Sequence, residues 1–191
     1  MEIKTVKVGD LQTNCYIVYD PKSKEALIID PGDEPELIIK KADGLKVKAI
    51  VLTHGHYDHT TLAPLVAKKL NTLIYIHKED NEMMFFNAQT KADRFLSEGD
   101  KLKIGKNVFT IISTPGHSRG GICLYNNEQG ILFSGDTLFY QTCGRYDLPG
   151  SSEEDMIKSL KKLLALPENT VVYPGHGPNT TIGAERNLIS G

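Results

Sequence analysis

The segment His54-Gly55-His56-Tyr57-Asp58-His59 places three imidazoles and a carboxylate within six residues. It follows directly on Val47-Lys48-Ala49-Ile50-Val51-Leu52-Thr53, an apolar and β-branched run that reads as a buried strand delivering its C-terminal end to His54. This join constrains the fold: the strand must open onto a loop dense in donors. Imidazole and carboxylate are ligands expected for zinc, iron or manganese, and ligands close together on one loop lower the ordering entropy of assembling a centre. Gly55 is expected to let the backbone turn tightly between neighbouring donors.

Three further donors stand in similar settings. His117 lies in Thr114-Pro115-Gly116-His117-Ser118, Asp136 in Phe133-Ser134-Gly135-Asp136-Thr137, and His176 in Tyr173-Pro174-Gly175-His176-Gly177, each just beyond an expected strand. Strand ends present side chains at a sheet rim, where such loops meet around one cleft. Five of the six histidines therefore fall at rim positions. His77, in Ile76-His77-Lys78-Glu79-Asp80, is the exception and reads as a surface or helix-start residue.

The surrounding pattern predicts strands at about 2–8, 14–19 and 26–30, forming an antiparallel meander, then a helix over 34–42, the strand 47–53 and a helix over about 59–69. A strand near 73–76, a helix near 79–87 and strands near 107–112, 121–125 and 130–134 follow. In the segment 152–165, Met156, Ile157, Leu160, Leu163 and Leu164 share one helical face, with Ser151 or Ser152 as N-cap, so this helix should pack on a sheet. A strand at 170–173 and a helix over about 180–189 complete the pattern. Helices recur between strands without strict βαβ alternation, which fits a layered α/β sandwich, two sheets inside and helices outside.

The 191 residues suit a single domain spanning 1–191. A net charge of −2 lacks the basic excess of a generic nucleic-acid binder. The N-terminal Met1–Val8 alternates like a strand without the apolar core of a secretory leader, and no apolar run approaches the ~20 residues of a membrane span. Cys15, Cys123 and Cys143 are odd in number and far apart, which favours reduced thiols. A cytoplasmic protein with neither nucleic-acid nor membrane partner is expected; its oligomeric state is not encoded in these features.

The motif His54-x-His56-x-Asp58-His59, with His117, Asp136 and His176, resembles that of the metallo-β-lactamase superfamily over nearly the whole chain. The resemblance implies the αββα sandwich, two β-sheets flanked by helices. It also implies one metal held by His54, His56 and His117, a second held by Asp58, His59 and His176, and Asp136 bridging the two. Two divalent ions are expected, zinc first, with iron or manganese as alternatives. The histidine at position 56 argues against the flavodiiron branch, where that position is often acidic.

Within the superfamily, Thr13-Asn14-Cys15-Tyr16, Cys143-Gly144-Arg145-Tyr146-Asp147-Leu148-Pro149-Gly150 and Pro174-Gly175-His176-Gly177-Pro178 resemble small glyoxalase II-like hydrolases. Glyoxalase II is hydroxyacylglutathione hydrolase, so the resemblance implies a thioesterase acting on a small-molecule thioester through a metal-activated hydroxide. Asp58 would orient that hydroxide as well as bind metal. Arg145 would help hold the glutathione moiety; read by itself, it fits equally an ordinary ion pair with Asp147. Glyoxalase II carries a C-terminal helical extension with further thiol contacts, so a sequence ending at Gly191 is expected to bind glutathione more weakly with its chemistry intact. Cys143 has no partner histidine outside the metal set, which favours a loop thiol over a nucleophile.

Two other functions fit parts of the pattern. A mononuclear iron persulfide dioxygenase shares the fold and a Cys-Gly-Arg-x-Asp segment, using two histidines and an aspartate as a facial triad. A non-catalytic metal-binding module would need fewer donors and no open cleft.

Overall fold

A computed structural model describes residues 1–189. The first half forms a six-stranded sheet in sequential order. β1 (Glu2–Val8), β2 (Thr13–Tyr19) and β3 (Glu25–Ile29) run antiparallel, as the alternating pattern predicts. Helix α1 (Pro35–Lys41) crosses over to β4 (Lys46–Val51), which pairs parallel with β3.

The helix expected over 59–69 is two: α2 (Tyr57–Thr60) and α3 (Ala63–Leu70). Pro64 stands in the first turn of α3, where its missing N–H costs nothing, so the chain bends at Leu62 and the helix restarts. β5 (Ile74–His77) and β6 (Arg94–Leu96) extend the sheet in parallel, flanking a 3₁₀ turn (Lys78–Asp80) and α4 (Asn81–Ala88).

The second half forms another six-stranded sheet from β7 (Lys101–Ile104), β8 (Asn107–Ser113), β9 (Ile122–Asn126), β10 (Ile131–Gly135), β13 (Val171–Pro174) and β14 (Thr180–Thr181). A hairpin of β11 (Leu138–Phe139) and β12 (Thr142–Cys143) precedes α5 (Glu153–Leu164). The segment expected to be helical over 180–189 instead pairs Thr180–Thr181 with β13 and keeps only the short α6 (Ile182–Glu185), capped by Thr181 Oγ1 accepting from the Ala184 N–H.

Period-two alternation divides the strand residues between three apolar clusters. Tyr16, Val18, Leu27, Ile29, Ala49 and Val51 face Phe109, Ile111, Leu124 and Phe133 between the sheets. Their neighbours Ile17, Ile28 and Ile50 point outward to Ile38, Val66 and Met84 of the helices. On the far face, Cys123, Leu132 and Val172 receive Met156, Leu160, Leu163 and Leu164 of α5. Each fully buried aliphatic side chain contributes about 1.5–3 kcal/mol. Helix α5 is further supported by Ser152 Oγ accepting from the Asp155 N–H, three acidic residues in its first turn and Lys161 and Lys162 in its last. The result is the expected αββα sandwich.

Candidate metal centre

Four strands end at one rim. β4 leads into His54, β8 into His117, β10 into Asp136 and β13 into His176. The structure brings together all seven donors singled out in the sequence. His54, His56 and His117 offer ligand atoms within 4.8 Å of one another; so do Asp58, His59 and His176, and so do His54, His59 and Asp136. Asp136 lies between the groups. Its Oδ2 is 3.5 Å from Nε2 of both His117 and His176, and its Oδ1 is 3.5 Å from His59 Nε2.

The outer nitrogen of each ring explains the convergence. His117 Nδ1 lies 2.8 Å from the Arg145 carbonyl and His176 Nδ1 lies 3.2 Å from the Leu11 carbonyl. A carbonyl only accepts, so both Nδ1 atoms carry the proton. His59 Nδ1 donates to Asp30 Oδ2 at 2.9 Å. Thr53 Oγ1 donates to the same oxygen at 2.7 Å and so accepts from His54 Nδ1 at 3.0 Å. All four rings are thereby held through Nδ1 with Nε2 turned inward. His56 differs, turning its Nδ1 to within 2.9 Å of His117 Nε2.

Nε2 of His54, Nε2 of His59 and Oδ1 of Asp136 are buried with no hydrogen-bond partner among the described residues. Such atoms are costly unless something binds them. The electrostatics point the same way. Burial pushes His54 well below its ordinary value, and burial with the neighbouring His117 lowers His56, so both stay neutral with lone pairs available. Burial also opposes charge on His59, but Asp136 and Asp30 outweigh it and hold that ring well above its usual range. His176 is raised against burial by Asp58 and Asp136. Burial acts upward on Asp58 too, yet the His176 and His59 rings hold its carboxyl far below the usual carboxylate range. The half of the cluster rich in carboxylates favours positive charge, and the half rich in imidazoles offers unprotonated donors. The residues present fit divalent metal ions.

A cavity of about 430 Å3 opens above this cluster, lined by His56, Asp58, His117, Asp136 and His176 below and by Leu11, Tyr57, Arg145, Leu148 and Pro149 around its mouth. Arg145 is 68% exposed and forms a two-pronged ion pair with Asp147 at 2.9 and 3.0 Å, so the ordinary ion pair does form while the residue also lines the cleft. Cys143 does not line it. That thiol, raised by burial, faces a separate groove with Tyr146, Met156 and Leu160. His77 is no part of the centre; its Nδ1 accepts from the Glu79 N–H and caps the 3₁₀ turn.

Several further residues support the centre, three of them in the Thr13-Asn14-Cys15-Tyr16 segment. Thr13 Oγ1 donates to Asp58 Oδ2 at 2.8 Å. Asn14 Nδ2 donates to the carbonyls of Pro174 and Gly177, and the Tyr16 hydroxyl to that of Pro174, which ties β2 to the loop carrying His176. Asp30 is the clearest omission. An acid at the end of β3, followed by Pro31-Gly32, repeats the setting of Asp136 and could have been found on that ground. Gly55 corrects an expectation: its φ is not positive, and it is required instead because a Cβ there would sit 2.8 Å from the Asp80 carbonyl oxygen.

A family profile described as the metallo-beta-lactamase superfamily matches residues 8–176. With the sandwich and the seven-donor centre, this establishes that the chain belongs to the metallo-β-lactamase superfamily of metallo-hydrolases. It is similar to the hydroxyacylglutathione hydrolase GloC of Haemophilus influenzae, 34% identical over 97% of this chain and 95% of that protein. Among solved structures, the BLEG-1 B3 metallo-beta-lactamase superposes with a TM-score of 0.90 at 35% identity, covering 97% of each chain. TTHA1623, solved in a di-iron-bound form, superposes with a TM-score of 0.85 at 39% identity, covering 97% of this chain and 98% of that one. No helix among the described residues is long and apolar enough to cross a membrane.

Proposed function

We propose that this protein is a binuclear metal-dependent hydrolase that cleaves thioesters of the hydroxyacylglutathione type, as a single domain acting in the cytoplasm. The observation that carries this reading is the pair of donor groups flanking Asp136, with four Nε2 atoms turned inward at the floor of an open cleft. His54, His56 and His117 would hold one ion, Asp58, His59 and His176 the other, with Asp136 shared. Zinc suits the mixed imidazole and carboxylate donors, and iron suits them as well, as the di-iron form of TTHA1623 illustrates. Two such ions supply a water of lowered pKa and polarise a carbonyl oxygen.

The remaining work belongs to the chain. Asp58, fixed by Thr13 Oγ1, orients the attacking water. Leu11 and Tyr57 line the cleft and offer apolar surface to the substrate. The thiolate departs without a dedicated acid, because a thiol pKa of about 8.5 already makes it a good leaving group. Arg145 stands at the cleft mouth, where exchange of Asp147 for a substrate carboxylate would anchor the thiol moiety. The similarity to a hydroxyacylglutathione hydrolase supports this choice of substrate class.

The test combines metal analysis of untagged protein with thiol release from lactoylglutathione, other acyl thioesters and a β-lactam, with oxygen uptake on glutathione persulfide followed in parallel. Metal-dependent thiol release abolished by His56→Ala is the expected result. Stoichiometric oxygen uptake without thioester turnover would replace the hydrolase by a mononuclear iron dioxygenase.

A further inference from the structure

Asp80 is a carboxylate with 0% exposure, outside the donor set. It occupies the N-cap of α4, a position where aspartate ordinarily accepts from the first-turn N–H groups of its own helix, yet its side chain makes no such bond. Instead Oδ2 accepts from the Gly55 N–H at 2.8 Å and Oδ1 from the Gly120 N–H at 2.6 Å. Gly55 is the residue between His54 and His56. Gly120 lies three residues beyond His117 on the same loop, in which the Gly116 N–H donates to the Ser118 carbonyl at 3.0 Å.

Both partners are glycines for a shared reason. A Cβ on Gly120 would lie 2.8 Å from the Asp80 amide nitrogen and from Oδ1, and one on Gly55 would meet the Asp80 carbonyl. The other side of the Gly55 peptide is held from the same helix, because Asn87 Nδ2 donates to the Gly55 carbonyl at 2.8 Å. A local capping rule is broken here while a cross-tie between two donor loops is made, and such departures concentrate at functional sites.

We propose that Asp80 is a positioning residue that clamps the His54-Gly55-His56 loop to the His117 loop and so sets the geometry of the three-histidine position, with Asn87 fixing the same peptide plane from behind. The spacing it controls is the 2.9 Å between His56 Nδ1 and His117 Nε2, the contact at which the two loops meet. This inference rests on the metal-centre reading for its functional meaning, and on the hydrogen bonds alone for its structural content.

The test is Asp80→Asn, which keeps the size of the side chain and turns one acceptor into a donor. In metal-free protein, the Gly55 and Gly120 amides should lose protection in hydrogen exchange followed by NMR, with the β4 amides unaffected. Cobalt(II) is then titrated in a His176→Ala background, where only the three-histidine position is complete. Affinity there should fall roughly ten- to hundredfold, as for other groups that orient ligands from behind, and the visible spectrum of the bound cobalt should shift. Retained protection of both amides would overturn the clamp. So would a lowered melting temperature with unchanged cobalt affinity and spectrum, since that is the signature of a merely structural carboxylate. If Asp80→Asn does not fold, Asn87→Ala carries the same comparison: weakened cobalt binding supports the clamp and unchanged binding overturns it. Failure of the unsubstituted protein to bind metal would remove the metal-centre reading instead, and the amide result would still decide the clamp.

Discussion

Asp30 Oδ2 lies 2.9 Å from His59 Nδ1, and both side chains are sealed from solvent. The same carboxylate accepts from the Thr53 hydroxyl and, through Oδ1, from the Thr53 N–H at 2.7 Å. One acid therefore orients His59 directly and His54 through Thr53, reaching both halves of the centre from beneath. It does so with φ at 53°, a left-handed conformation uncommon outside glycine.

Asp30→Ala should accordingly do more damage than the loss of one hydrogen bond. It leaves the Thr53 N–H and His59 Nδ1 buried without an acceptor, and removing one member of such a pair costs about 3–5 kcal/mol. Urea unfolding of the metal-free protein should show that loss, and chelator competition should show metal affinity lowered roughly ten- to hundredfold. Wild-type affinity would mean that the ring orientations are held by other contacts.

Asp136→Ala should reduce metal uptake at both positions together, because the carboxylate stands within 3.5 Å of His59, His117 and His176 Nε2 atoms. Elemental analysis of protein purified without chelator should approach two metals per chain before the substitution. Loss of one metal with the other retained would show that Asp136 is not shared.

Arg145→Ala should raise KM for a carboxylate-bearing thioester more than it lowers kcat, because a remote ion contact acts alike in ground and transition states. The Asp147 pairing makes a complementary expectation. Asp147→Asn frees the guanidinium and should lower the same KM. An equal response with an uncharged thioester would leave Arg145 as scaffold.

Acid stability should depend on Asp20. Its Oδ1 accepts from the Ser23 and Lys22 N–H groups, each at 2.9 Å, and its Oδ2 from Asn107 Nδ2. The Ser23 amide leads the contacts that hold its carboxyl below the usual value. A depressed carboxylate contributes stability that is present above the unfolded pKa, about 3.9, and lost as pH falls through the lower folded value. Urea midpoints of metal-free Asp20→Asn should therefore lie below wild type at neutral pH and converge on it in that acid window. Parallel curves down to the lowest pH would remove the assignment.

The thiols should differ in reactivity. Burial, opposed by the Thr114 hydroxyl, leaves the Cys123 thiol pushed up to about 12, and burial raises Cys15 well above its ordinary value. Only half-buried Cys143 should be alkylated in the folded protein, and slowly, since burial raises that thiol too. Peptide mass spectrometry after a timed iodoacetamide exposure resolves the three sites, and rapid labelling of Cys123 would contradict the packing of β9 against α5.

The sequence by itself determined the layers and the donors. Period-two runs such as Glu2–Val8, and the helical face of Met156, Leu160, Leu163 and Leu164, carry their burial in their spacing. His54, His56, Asp58 and His59 are legible because neighbours in sequence share one loop. The tertiary structure alone decided the rest. β6, β11, β12 and β14 are only two or three residues long, too short for a period, and each is defined by pairing with its partner strand. The break at Leu62 escaped because the apolar face continues across it. Asp30, 29 residues from His59, and Asp80, 25 from Gly55 and 40 from Gly120, act only through these long-range contacts. A carboxylate's role as acceptor depends on which N–H groups the fold brings within about 3 Å of it, and no local pattern records that distance.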